Sequence, residues 1–193
     1  MGNKTSAKSY WENTVTGVIV NICRLTVSLT FILSGFVKAV DPLGTKYKII
    51  DYAEALGVTE YLPDLAALLA SVALAATEFI LGICLLFAIH RRVATRLVVL
   101  LMLVMTPLTL WLALSNPISD CGCFGDAVKL TNWQTFWKNV VLLSAALISA
   151  IRPLKMVRFI SLANQWIVMN FSWIFILTVS GYSIYYLPPF DFR

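Results

Sequence analysis

Long apolar runs separated by short polar segments dominate the chain. Five such runs stand out, at residues 14–40, 65–89, 93–114, 136–151 and 166–187. Uninterrupted apolar stretches of about 18 residues or more are the signature of helices that cross a bilayer, because ~20 residues at ~1.5 Å rise cover the ~30 Å hydrocarbon core. The pattern therefore predicts an all-α membrane protein with five transmembrane helices. The fourth run is short for this task unless its helix starts near Trp133. Between the first two runs, Ile49, Ile50, Ala53 and Leu56 recur at helical spacing. That predicts a short amphipathic helix lying over the bundle, with a plain loop as the alternative. No internal repeat or low-complexity tract interrupts the pattern.

Composition points the same way. Of 193 residues, 59% are hydrophobic and 13% are charged, and the mean hydropathy is +0.80. A soluble domain carries about a quarter charged residues, so this excess of apolar surface calls for lipid as solvent. The net charge of +5 does not indicate a nucleic-acid partner, because the basic residues sit in short clusters between apolar runs. Arg91, Arg92 and Arg96 follow the second run, and Arg152, Lys155 and Arg158 follow the fourth. Lys and Arg mark cytoplasmic segments. Both linkers, and the tail at residues 1–13 with Lys4 and Lys8, are thus expected in the cytoplasm. The expected location is a bacterial inner membrane, crossed several times. The first and third linkers and a short C-terminal tail then face outward. No cleavable signal peptide is expected, since the first residues are polar and the run behind them is too long.

Two charges fall inside the runs. Arg24 lies about ten residues from the inner end of the first, roughly 15 Å deep. Glu78 lies at a similar count from the inner end of the second. An unpaired charge at such depth costs several kcal/mol, so Arg24 and Glu78 are expected to face each other as an ion pair. Their faces agree: Gly17, Asn21, Arg24, Ser28, Phe31, Gly35 and Lys38 form one stripe, and Ser71, Ala75, Glu78 and Gly82 form another. Small residues let helices approach closely, and polar ones bond across the interface. Such a pair either fixes helix packing or marks a cofactor or proton path.

Cys23 and Cys84 lie within runs and read as packing residues. Cys121 and Cys123 differ, because they lie in an outward loop, where disulfides form and persist. A Cys-Gly-Cys disulfide closes a very small ring, and Gly122 tolerates the backbone bend that this needs. So short a loop adds little stability, while strained and exposed disulfides are the labile, exchanging kind. Asp120 and Asp126 nearby disfavour the thiolate. A static disulfide, a pair of idle thiols, and a soft-metal site with Met102 and Met105 remain alternatives, and no metal ligand set is assigned.

Three segments together resemble the DoxX-like superfamily, in particular its MauE branch. They are Arg24-Leu25 with Phe31, Ser34-Gly35, Lys38 and Asp41-Pro42; Glu78-Phe79-Ile80-Leu81-Gly82; and Cys121-Gly122-Cys123-Phe124-Gly125. The resemblance spans roughly residues 15 to 150 and implies a four-helix membrane bundle at residues 14–151. The linker and fifth C-terminal transmembrane helix at residues 152–193 are additions to it. It further implies methylamine utilisation, disulfide formation in a dehydrogenase subunit, and a thioredoxin-like partner. In that reading Cys121 and Cys123 are the redox pair, Gly122, Phe124 and Gly125 support their loop, and Arg24 and Glu78 are the intramembrane charges. The leading expectation is a membrane thiol–disulfide redox protein, electrons passing to a quinone between the spans. A non-enzymatic scaffold or assembly subunit with a structural disulfide is the alternative. A transporter is disfavoured by the lack of repeats and broken helices. Small-residue faces on so small a bundle lead us to expect an oligomer.

Overall fold

A computed structural model describes residues 2–55, 57, 63–115 and 130–186, with side chains from Thr14 onward. All regular structure among them is helical. Helix α1 runs Gly2–Val40, α2 Pro42–Ala55, α3 Asp64–Leu86, α4 Arg91–Ser115, α5 Asn132–Ile151 and α6 Gln165–Tyr185. Short 3-10 turns at Pro153–Lys155 and Leu162–Asn164 lie between α5 and α6. Five of these elements are long and apolar enough to cross a membrane: Thr14–Val40, Asp64–Leu86, Arg91–Ser115, Asn132–Ile151 and Leu162–Tyr185. The five expected spans are therefore present, and the expected amphipathic helix forms as α2.

Local signals account for the boundaries. Pro42 opens α2, a position where its missing N–H is no loss, and the Gly44 N–H donates to Asp41 Oδ1 at 2.9 Å. A capping box starts α5: the Gln134 N–H donates to Thr131 Oγ1, and the Thr131 N–H donates to Gln134 Oε1. It satisfies two N-terminal donors reciprocally. It also places the start at Asn132, so α5 has 20 residues rather than the marginal 16 or so of its apolar run. Between α3 and α4 the chain reverses within four residues. Ala88 and His90 there take positive φ values of 55° and 41°, and Ala88 and Ile89 are fully buried.

The bundle is built on α1 against α3, with α4 paired to α5. Two glycines set the first contact. A methyl on Gly35 would lie 2.5 Å from the Phe79 backbone nitrogen and 2.7 Å from Ala75 O, and one on Gly82 2.8 Å from the Ile32 nitrogen. Both sites admit only hydrogen, which lets the backbones pack closely without a hydrophobic driving force. Helix α6 joins the same pair: Phe175 stacks near Phe36 and Phe79 at centroid distances of 6.3 and 5.8 Å. Cys84, buried in α3, puts its Sγ 3.5 Å from Met169 Sδ of α6, and Cys23 is half-buried. Large apolar side chains such as Ile22, Leu33, Leu69, Leu100 and Val141 point outward, as lipid-facing surface requires.

Candidate functional site

The α1–α3 register determines which charges meet. Gly35 lies over Ala75 and Phe79, and Gly82 over Ser28 and Ile32. Because the helices are antiparallel, Glu78 is level with Ser34, and Arg24 is about ten residues, or ~15 Å, farther along. The expected Arg24–Glu78 pair is therefore not formed. Lys38 takes its place: its Nζ donates to Glu78 Oε2 at 2.6 Å and to Ser34 Oγ at 2.7 Å. Lys38 is 3% and Glu78 7% exposed, so each charge depends on the other for solvation. Equal counting from the ends of two apolar runs failed because α1 continues past the α3–α4 turn. Lys38 was already on the right stripe, and aligning the two small-residue faces on Gly35 and Gly82 is the signal that would have paired it.

Arg24 is fully buried, but at the end of the bundle that carries the basic clusters. It binds the α5–α6 linker, its guanidinium donating to Val157 O at 2.6 Å with the Phe159 ring 5.0 Å away. Asn21 holds the same strand of chain from below, donating to Lys155 O at 3.1 Å and accepting from the Val157 N–H at 3.0 Å. Arg91 donates to Leu154 O and Met156 O. These three side chains fasten the linker across the basic end. The remaining Arg24 nitrogens, Nε and one terminal nitrogen, have no hydrogen-bond partner among the described residues.

A cavity of about 280 Å³ opens beside the Lys38–Glu78 pair. Phe31, Leu74, Met102, Met105, Leu108 and Leu142 give it apolar walls. Lys48 and Tyr52 of α2 and Lys138 and Asn139 of α5 complete a polar side. Helix α2 presents Thr45, Lys48, Ile49 and Tyr52, at steps of three, one and three, to the cavity. Asn139 Nδ2 donates to Thr109 Oγ1 at 3.2 Å, joining α5 to α4 beside it. Convergent polar groups in an otherwise apolar cavity mark the default ligand site of a protein. Among the described residues that line it, Lys38, Lys48 and Lys138 stand with Glu78. Sequence reading missed the cavity, since its walls come from five helices.

Cys121, Gly122, Cys123, Phe124 and Gly125 lie outside the described residues. The chain that carries them leaves α4 at Ser115 and re-enters at Asn132. Both ends lie on the α2 side of the bundle, about two helical turns, or ~10 Å, from Leu108 and Lys138 at the cavity.

The molecule is thus a polytopic helical membrane protein with a buried ion pair in the wall of a cavity between its helices. The profile of one family, methylamine utilisation protein MauE, matches residues 16–152. That span is well over half of the chain, and the chain belongs to the MauE family. The match ends with α5, so α6 lies beyond it. Comparison with curated proteins and with solved structures returns no significant match.

Proposed function

We propose that this MauE-family protein is a membrane thiol–disulfide redox protein, related to the DoxX-like superfamily, that exchanges electrons through Cys121 and Cys123. The observation that carries this reading is the position of the ligand-sized cavity, about two turns below both attachment points of the Cys-Gly-Cys loop. A thioredoxin-like partner would bring a dithiol to the loop. One of its thiolates attacks a Cys121–Cys123 disulfide sulfur, a mixed disulfide forms, and the partner's second thiol resolves it. The loop is left as a dithiol, and the partner as a disulfide. Return of the loop to the disulfide releases two electrons and two protons, which a quinone has the chemistry to accept. The cavity suits a quinone ring: Phe31, Met102, Met105 and Leu142 supply apolar contact, and lysine and asparagine side chains donate hydrogen bonds to carbonyl oxygens.

Orientation belongs to the same reading. The basic end, with Arg91, Arg92, Arg152 and Arg158, faces the cytoplasm. Cys121 and Cys123 then lie on the oxidising, periplasmic side of a bacterial inner membrane. The family's description points to methylamine utilisation as the setting.

Thiol trapping on native membranes tests the proposal. Cys121→Ser and Cys123→Ser single variants are expected to accumulate a mixed disulfide with one partner, visible as a reducible band shift. In the wild type, the pair should become reduced when respiration is blocked. A pair that stays oxidised under every condition, with no captured partner, would make the disulfide structural and the protein a scaffold or assembly subunit.

A further inference from the structure

We propose that Lys38 is the head-group donor of the cavity. It binds a carbonyl oxygen of a quinone ring, with Glu78 as the positioning residue that holds its amine in the cavity wall. The proposal takes the class of ligand from the redox reading above and assigns the site to this chain's own residues.

Three observations carry it. First, Lys38 and Glu78 both line the cavity, although each is more than nine-tenths buried. A buried pair that serves packing alone is often replaceable by apolar side chains without loss, whereas this pair is set in a cavity wall where a ligand can reach it. Second, two partners of the Lys38 amine differ in kind. Glu78 Oε2, at 2.6 Å, is a carboxylate that neutralises the charge, whereas Ser34 Oγ, at 2.7 Å, is a neutral hydroxyl. A ligand oxygen can replace the hydroxyl and leave the ion pair intact, and hydrogen bonds from an ionised donor are the stronger ones. Third, at about 280 Å³ the cavity falls just below the ~300–1,000 Å³ range of pockets that hold whole drug-sized ligands. It accommodates a ring and leaves an isoprenoid tail to run into lipid.

The experiment uses the full chain in lipid nanodiscs, with a benzoquinone bearing one isoprene unit as probe. Binding is read by quenching of tryptophan fluorescence, and the environment of the probe's carbonyls by infrared difference spectroscopy. In the wild type the probe should bind saturably, with one carbonyl band moved to lower frequency. Lys38→Met combined with Glu78→Gln removes both charges without stranding either. That variant should bind about tenfold or more weakly, the size of one lost charge-assisted hydrogen bond, and show no band shift. The exchanged variant, Lys38→Glu with Glu78→Lys, restores a pair but moves the donor to α3. It should fold and bind without regaining the wild-type band shift. Equal binding and an unchanged band in the charge-free variant would overturn the assignment and leave the redox reading standing. Absence of probe binding to the wild type would overturn both the assignment and the quinone part of that reading. Binding that survives Cys121→Ser with Cys123→Ser, as expected, separates the site from the cysteine chemistry.

Discussion

At the residue scale, Lys38 and Glu78 illustrate how a buried ion pair behaves when only one partner is removed. Lys38→Met alone leaves Glu78 as an uncompensated charge in the bundle, and such single losses cost about 3–5 kcal/mol. The double variant Lys38→Met with Glu78→Gln is expected to be markedly more stable than either single one. Reversible unfolding in detergent would reveal the coupling, and additive losses would contradict direct pairing. Asn21 makes a different kind of contact, to backbone rather than to charge. Its Oδ1 is the acceptor for the Val157 N–H. Asn21→Ala should therefore speed hydrogen exchange at Val157 several-fold, in line with about 1 kcal/mol for one hydrogen bond, and leave α3 unaffected. The chemistry of both sites was legible in the sequence as stripes of small and polar residues within apolar runs. Their partners were not, because Lys155 and Val157 lie more than 130 positions from Asn21 and Arg24.

At the scale of elements, close packing of α1 on α3 rests on two missing methyl groups. Gly35→Ala pushes a methyl into the Ala75–Phe79 backbone. A cost of about 1–3 kcal/mol is expected, measured as a lower unfolding midpoint, together with weaker probe binding because the Lys38–Glu78 register moves. Gly17, with nothing within 4 Å of its side-chain position, should accept alanine with little change. Thr131→Ala removes the capping-box acceptor of α5 and should cost about 1 kcal/mol. Element boundaries were readable wherever a local signal existed. Asp41-Pro42 starts α2, and Thr131 with Gln134 three positions later starts α5, although the apolar run alone began the latter at residue 136. The α2 face was read only in part: Ile49 does turn inward, but the cavity face is Thr45, Lys48 and Tyr52, which hydrophobic spacing passes over.

At the scale of the whole molecule, the two ends of the bundle divide the work. The basic end is closed by Asn21, Arg24 and Arg91 on the linker between α5 and α6. The α2 end holds the cavity and both attachment points of the Cys121–Cys123 loop. Opposite roles for the ends lead to a labelling prediction. In intact cells, after reduction, a membrane-impermeant maleimide should react with Cys121 and Cys123 from outside, and not with Cys84, buried against Met169. Labelling of the loop only after the cells are opened would reverse the topology. The sequence by itself determined the solvent, the number of spans, the stripes of α1 and α3, and the family match over residues 16–152. The first three follow from local periodicity, residue size and composition, and the family match from the particular residues along the chain. Only the tertiary structure decided that Glu78 meets Lys38 rather than Arg24, that Arg24 serves the linker, and that five helices enclose a cavity beside the pair. The physical reason is register. Apolar runs fix a helix's depth only to within a few turns, and the interlock of Gly35 and Gly82 with the facing backbones sets it to a single residue.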